Sequence, residues 1–193
     1  MLVNDDDEKI IAEYLNSRDE ELFRILLDRY TKPVYNFIRS MVGKTGEAED
    51  ITQEVFVKVW KNLKKYKIGQ NFKTWLFAIA KNSTIDFLRK RKVLNFADLN
   101  SQAHDRIDGD DNFDFAENIP DEAILPDEAL QKLQNSDLLN KLLDQLRVEY
   151  KTVLVLHYME EMTFDEISKM LKKPLNTVKS YHRRAILELR KMI

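Results

Sequence analysis

Two basic stretches carry the residues whose types suit binding to a polyanion. Residues 57–92 hold eleven Lys or Arg against one acid, and residues 169–191 hold eight against one acid. The segment between them, 93–136, is acidic, with a net charge of −9. Such a separation of charge along the chain indicates what kind of partner the protein binds. Nucleic acid is the polyanion that best fits two separate basic stretches. Lys-rich helix faces that only keep helices in solution are the alternative.

The C-terminal basic stretch has the pattern of a helix-turn-helix. Thr163 and Glu166 form a capping box that starts a short helix, Pro174 follows its end, and a longer basic helix begins near Asn176. Groups able to reach phosphates and base edges in a major groove point away from the apolar side of that helix: Thr177, Lys179, Ser180, Arg183 and Arg184. An ordinary helical hairpin with a basic outer face is the alternative.

The N-terminal basic stretch mixes Lys with aromatic residues between positions 64 and 75. Rings stack on unpaired bases while Lys neutralises phosphates, so this mixture suits single-stranded nucleic acid. Phe72 and Trp75 also share a helical face with Leu76 and Ile79, and periodicity alone favours a core position for Trp75.

Other chemistry finds little support in the residues. The absence of Cys excludes disulfides, thiol catalysis and Cys-based zinc sites. The three His are isolated, a calcium loop centred on Gly109 lacks its ligand set, and no nucleophile motif or Gly-rich phosphate loop is present. We therefore expect no catalytic residue, metal or cofactor. The acidic N-terminus and the short apolar run at 153–159 predict neither a signal peptide nor membrane insertion.

The elements that must position these residues are predicted to be helices. Gly and Pro number only four each, which disfavours a sandwich or barrel, and apolar residues recur every three or four positions. Pro33 should kink or break the first long helix. We predict an all-α protein with two small helical domains, 10–92 and 136–193. A flexible acidic linker, 93–135, joins them.

Three stretches of the chain are the most specific, in this order: EAEDITQEVFVKVWKNL, FKTWLFAIAKNSTIDFLRKRK and MTFDEISKMLKKPLNTVKSYHRRAILELRKM. Together they resemble bacterial sigma factors of the extracytoplasmic-function (ECF) group. The resemblance covers roughly residues 18–92 and 137–192. It implies a non-enzymatic cytoplasmic factor that binds core RNA polymerase and directs promoter-specific initiation.

The resemblance also assigns roles by position. Residues of the helix that binds the polymerase β′ clamp helices correspond to Asp50, Gln53, Glu54 and Trp60. The base-capturing loop corresponds to residues 64–74, and the expected contacts to −10 DNA are Lys65, Lys67, Phe72, Lys73, Asn82, Asp86, Arg89, Lys90 and Arg91. The residues that would read the −35 element are the five on the longer C-terminal helix named above. The linker would pass towards the RNA exit channel, and a separate anti-sigma protein would regulate the factor.

Three features depart from the pattern of the group. Lys172 stands where Gly is usual in the turn, Arg147 follows Leu146 where Pro is common, and Tyr181-His182 replaces a basic–apolar pair. These departures bear on −35 preference. Two rival functions are a free-standing helix-turn-helix repressor or activator and a metal-dependent nucleic-acid enzyme. The first leaves residues 48–92 unexplained, and the second lacks ligand spacing.

Overall fold

The computed structural model describes residues 3–98 and 141–192. Within these ranges the protein is helical and has no strand, which confirms the predicted all-α class. The N-terminal domain consists of α1 (Val3–Ser17), α2 (Glu20–Val42), α3 (Thr45–Asn62) and α4 (Phe72–Asp98). The C-terminal domain contains α5 (Val148–Leu154), which continues as a π-helical turn (Val155–Met159), α6 (Phe164–Leu171) and α7 (Leu175–Met192).

Side-chain and glycine caps fix the ends of α2. The Asp19 carboxylate accepts a hydrogen bond from the Glu21 amide at its start. At its end Gly43 takes a left-handed conformation with φ of 78°, and its amide donates to the Arg39 carbonyl. A Gly at this position carries no Cβ that would resist a positive φ. The chain therefore turns sharply, and α3 returns against α2.

The expectation that Pro33 breaks a helix is wrong, because α2 runs through it without interruption. Proline removes one amide donor and crowds the preceding turn, at a cost of about 3 kcal/mol in an isolated helix. Here Leu26, Val34 and Phe37, on both sides of it, are fully buried against α3 and α4. This burial outweighs the lost hydrogen bond.

The N-terminal domain begins earlier and its last helix ends later than the sequence pattern indicates. Helix α1 begins at Val3, packs on α2 and α4 and buries Asp7 completely, so residues before position 10 belong to the fold. Helix α4 continues to Asp98, into the stretch that we predicted as linker. The rest of that stretch, 99–135, lies outside the described residues.

The C-terminal domain closes around a small core made by α5, α6 and α7. Val153, Leu156, Ile167 and Val178 are fully buried where these helices meet. The capping box predicted for α6 is present: the Thr163 hydroxyl accepts from the Glu166 amide, and the Glu166 carboxylate accepts from the Thr163 amide at 2.8 Å. Helix α6 is followed by a short turn and by α7, which packs against it, so the predicted helix-turn-helix is confirmed.

The two domains touch in this structure. The Asn71 amide side chain, which caps α4, donates to the Glu166 carboxylate at 3.0 Å. The Lys73 ammonium donates to the backbone carbonyl of Glu160. Through these contacts the helix-turn-helix packs against the end of α4 that follows the loop at 64–71.

Candidate nucleic-acid and polymerase interfaces

A row of exposed side chains follows α3. Asp50, Gln53, Glu54 and Trp60 recur at helical spacing and are all exposed, so the structure brings the predicted polymerase-binding residues onto one face. Val57 lies between them and is 49% exposed, although the sequence analysis did not select it. An exposed apolar residue flanked by acids and an exposed indole is typical of a docking surface. We call residues 50, 53, 54, 57 and 60 the α3 stripe.

Trp60 is held in place although 56% of it is exposed. Its indole nitrogen donates to the Tyr14 hydroxyl of α1 at 3.0 Å. The Tyr14 ring in turn packs against Phe23 of α2, with centroids 5.6 Å apart. A ring that is already ordered loses little conformational entropy on binding, so Trp60 is suited to anchor an interface.

The loop that follows α3 has a rigid aromatic base and an exposed basic rim. Lys65 and Lys67 are exposed, and Gly69 turns the chain with φ of 94°. Below them the Tyr66 ring meets the edges of Phe72 and Trp75 at 5.7 and 5.5 Å, and the Tyr66 hydroxyl donates to the Gln70 carbonyl. The loop is therefore shaped by its own aromatic residues.

Two of the residues expected to contact −10 DNA make their contacts within the protein instead. Phe72 is only 1% exposed, so the structure puts it in the core beneath the loop rather than at a DNA-contacting surface. Its ring fills the space between Tyr30, Tyr66 and Trp75, which is the core reading that periodicity allowed. Lys73 bonds across the domain interface through the Glu160 carbonyl.

The first turns of α4 form one wall of a cleft of about 310 Å³ beside α3. Apolar surface comes from Trp75 and Ile79, and polar groups come from Lys58, Asn62, Lys65, Asn82, Ser83 and Asp86. The Lys58 ammonium donates to the Ser83 hydroxyl at 3.0 Å and pairs with Glu54 at 2.7 Å. We call this cleft the α3–α4 cleft. It offers a ring for stacking beside amide and carboxylate groups for base edges.

Further along α4 the predicted cations divide into exposed and paired groups. Arg89 and Lys90 are exposed. Arg91 instead bonds to the Glu47 carboxylate of α3 at 3.0 Å, which ties the two helices together. Arg91 is therefore also a packing residue, a role that its place in a basic run did not indicate.

A second cleft, of about 430 Å³, lies between α4 and the C-terminal domain. Asn82, Asp86 and Arg89 reach it from α4, and Arg147 and Lys173 reach it from the other side. Burial, followed by the charge of Arg89, lowers the pKa of Lys81 within it. The domain contact thus gathers cations of both domains beside Asn82, Asp86 and Arg89, which the sequence analysis predicted as −10 contacts.

The turn of the helix-turn-helix takes the left-handed strain expected from a residue other than Gly. Lys172 has φ of 54°, and its neighbour Lys173 offers a backbone carbonyl that accepts from the Ser168 hydroxyl at 2.7 Å. The turn therefore keeps its tight form in spite of the Lys.

Helix α7 presents some of its predicted −35 contacts more openly than others. Lys179, Ser180 and Arg184 are exposed, whereas Thr177 and Arg183 are half-buried. The Ser180 hydroxyl donates to the Asn176 carbonyl at 2.8 Å. The exposed side chains lie on the outer face of the helix, away from Val178 and Ala185 in the core.

The unusual Tyr181-His182 pair faces inward. Tyr181 is buried against Tyr150, with centroids 5.6 Å apart, and the His182 Nε2 lies 3.0 Å from the Tyr158 hydroxyl. His157 stacks on Phe164 at 4.4 Å in the same cluster. The sequence analysis treated these His as isolated, because nothing in their spacing shows that the π-helical turn and α7 meet. The pair thus serves packing of the domain.

The glutamate at the domain contact has an unusual titration. Burial raises the pKa of Glu160 to about 7, the nearby Lys73 lowers it, and Glu161 raises it further.

No helix in the described part of the chain is long and apolar enough to cross a membrane.

Comparison with known proteins finds two sigma-factor regions in the chain. Residues 26–93 match the family described as Sigma-70 region 2, and residues 136–189 match Sigma-70, region 4. The chain is 33% identical to the ECF RNA polymerase sigma factor SigW of Bacillus subtilis, over 91% of this chain and 90% of that protein. It is 29% identical to SigX of the same organism, over 89% and 84%.

Solved structures share the fold. CnrH in complex with the cytosolic domain of CnrY aligns with a TM-score of 0.68 at 19% identity, over 96% of both chains. The sigma factor RpoE in complex with the anti-sigma factor NepR from Bartonella quintana aligns with 0.63 at 21% identity, over 88% of this chain and 94% of that one. Both sigma-70 regions are matched, and the similarity to SigW extends over about nine-tenths of each chain. The chain therefore belongs to the ECF group of the sigma-70 family.

Proposed function

We propose that this ECF sigma factor divides promoter-specific initiation among three surfaces. The α3 stripe binds the β′ clamp helices of core RNA polymerase. The loop at 64–74 and α4 capture and read unpaired −10 DNA, and α7 reads the −35 element. The observation that carries the proposal is the α3–α4 cleft, whose lining residue Lys58 pairs with Glu54 of the α3 stripe.

The α3–α4 cleft has the chemistry that an extruded base requires. Unstacking a base costs a few kcal/mol, which contacts to that base must offset. Trp75 supplies a stacking surface, Asn82 and Asp86 supply acceptors and donors for base edges, and Lys65 supplies charge for a phosphate. Phe72 supports this site from the core instead of contacting DNA.

The −35 role is supported by the form of the helix-turn-helix and by its open face. Exposed Lys179 lies near the start of α7, and exposed Arg184 lies more than one turn further along. An Arg at that depth can bind guanine with two hydrogen bonds, whereas a Lys near the helix start suits phosphate.

The two domains must separate when the protein binds a promoter. Positions −10 and −35 are about 25 base pairs apart, or about 85 Å of B-form DNA. In this structure Asn71 and Glu166 hold the helix-turn-helix against the start of α4. We therefore infer that the isolated protein binds duplex promoter DNA weakly and that core polymerase restores specific binding.

The remaining parts of the proposal concern partners and place. The CnrH and RpoE structures are complexes with other proteins, and that of RpoE is with an anti-sigma factor. We propose an anti-sigma partner for this chain too, a cytoplasmic location, and a linker (93–135) that passes through the polymerase. The protein contributes binding energy to initiation and no catalytic residue of its own.

A competition between variants for core polymerase tests the α3 stripe. Trp60→Ala should weaken core binding at least tenfold, because an ordered, exposed Trp that becomes buried in an interface is typical of a binding hot spot. Val93→Ala, which also removes exposed apolar surface but on α4, is the matched control and should bind as the wild type does. Equal affinities for all three proteins would contradict the assignment.

A further inference from the structure

Helix α1 buries a carboxylate that neither the polymerase-binding nor the DNA-binding role uses. Asp7 is fully buried, and both the Arg29 guanidinium and the Tyr30 hydroxyl of α2 donate to it. Burying a charge is costly because the charge loses its hydration. Apolar residues of similar size often stabilise a core at least as much as a buried ion pair does. The arrangement is therefore better explained by what it holds in position than by stability alone.

Tyr30 connects this carboxylate to the base-capturing loop. Its ring meets the edge of Phe72 with centroids 5.4 Å apart. Phe72 in turn contacts Tyr66 and Trp75, which shape the loop and one wall of the α3–α4 cleft. A continuous set of contacts thus runs from α1 through α2 to the cleft.

We propose that Asp7 is a positioning residue for promoter melting. By fixing the Tyr30 hydroxyl, it sets the ring on which Phe72 rests, and so keeps residues 66–71 in the form that accepts an unpaired base. This inference rests on the proposed base-capturing role of the loop. Burial and the hydrogen bond to Asp7 both raise the pKa of Tyr30, so its hydroxyl stays a donor throughout the range in which the protein works.

The test compares opening of duplex DNA with use of DNA that is already open. Tyr30→Phe keeps the ring and removes only the hydroxyl, and Asp7→Asn keeps the size and removes the charge. With core polymerase, each should slow the appearance of permanganate-reactive −10 thymines on duplex promoter about tenfold, the effect of losing one hydrogen bond to a charged group. A template mismatched across the −10 region should bring transcription to within about twofold of wild type.

Tyr35→Phe on the same helix makes the same chemical change outside the Asp7 contact and should behave as wild type. Far-ultraviolet circular dichroism checks that each variant is folded. If Asp7→Asn does not fold, the result for Tyr30→Phe alone decides the test. Normal melting by folded Tyr30→Phe would overturn the inference. So would an equal loss on duplex and mismatched templates, because a merely structural defect affects both.

Replacement of the loop distinguishes a failure of this inference from a failure of the proposed base-capturing role. Residues 66–71 are exchanged for a Lys/Gly/Ser segment of equal charge. If that protein melts DNA poorly while Tyr30→Phe melts it normally, only the role of Asp7 falls. If the replaced loop melts DNA normally, the base-capturing role falls and the inference falls with it.

Discussion

The free energy of unfolding should decrease as the pH rises from about 5 to about 7, because Glu160 is buried. Glu160 is only 6% exposed, and burial raises the pKa of its carboxyl from 4.5 to about 7. In the unfolded chain the pKa is the ordinary one, so the native state binds more protons between these values. The stability that Glu160 contributes is complete below about pH 4.5 and is lost as the pH passes about 7. At 1.36 kcal/mol per pKa unit, the total change is about 3 kcal/mol.

Glu160→Gln should remove this dependence, because the amide keeps the shape and cannot ionise. We expect the variant to be more stable than wild type by about 3 kcal/mol at pH 8 and by less than about 1 kcal/mol at pH 5. Urea unfolding followed by circular dichroism at pH 5, 6, 7 and 8 measures both, and the titration of other groups cancels in the difference.

Glu161→Gln is the matched control, because Glu161 is the exposed next residue and raises the pKa of Glu160 less than burial does. It should keep most of the pH dependence of the wild type. A difference between wild type and Glu160→Gln that stays constant from pH 5 to pH 8 would refute the reasoning.

Three further outcomes follow from the same contacts. Arg184→Ala should cost about 1–3 kcal/mol at one −35 base pair, whereas Lys179→Ala should weaken all promoters alike and flatten the salt dependence; equal loss across a panel of −35 variants for Arg184→Ala contradicts the first assignment. Lys172→Gly should raise the free energy of unfolding by about 1 kcal/mol, since Gly relieves the left-handed strain; an unchanged or lower value in urea unfolding would count against that strain. Exchange of residues 66–71 at equal charge should leave core binding intact yet reduce permanganate reactivity on duplex promoter, and full reactivity would leave the loop with phosphate neutralisation only.

Features that depend on neighbours in sequence could be predicted. The capping box of Thr163 and Glu166 spans one helical turn, so its residue types alone fix where α6 begins. The end of that helix before Pro174 and the exposed face of α7 follow from the same kind of short-range rule. Four residues of the α3 stripe were instead assigned by the resemblance to the ECF group, and the helical period of α3 places them on one face.

Features that depend on contacts between residues far apart in the sequence could not be predicted. Asp7 lies among acids that resemble a solvated tail, and its partners are 22 and 23 residues away. Ile11 and Tyr14 fall inside the predicted domain 10–92, but no pattern of apolar residues predicts that α1 begins at Val3. The same limit applies to Pro33, whose helix persists because tertiary burial outweighs a local rule.

The site shows the same division. Composition marked residues 64–75 as suited to unpaired bases, but it could not separate contact residues from those that support them. Phe72 lies in the core, whereas Trp75 is half-buried and lines the α3–α4 cleft. Burial decides between the two roles, and burial depends on how α2 and α4 meet.

Run-off transcription tests the central claim most directly. Core RNA polymerase, with and without the full chain, transcribes a linear template that carries a −35 and a −10 element of a promoter chosen by genomic binding of this protein. We expect a discrete run-off product only when the protein is present, and its loss when either element is scrambled. Absence of any promoter-specific product, together with tight binding of the free protein to the same duplex, would contradict the account and favour a free-standing helix-turn-helix regulator.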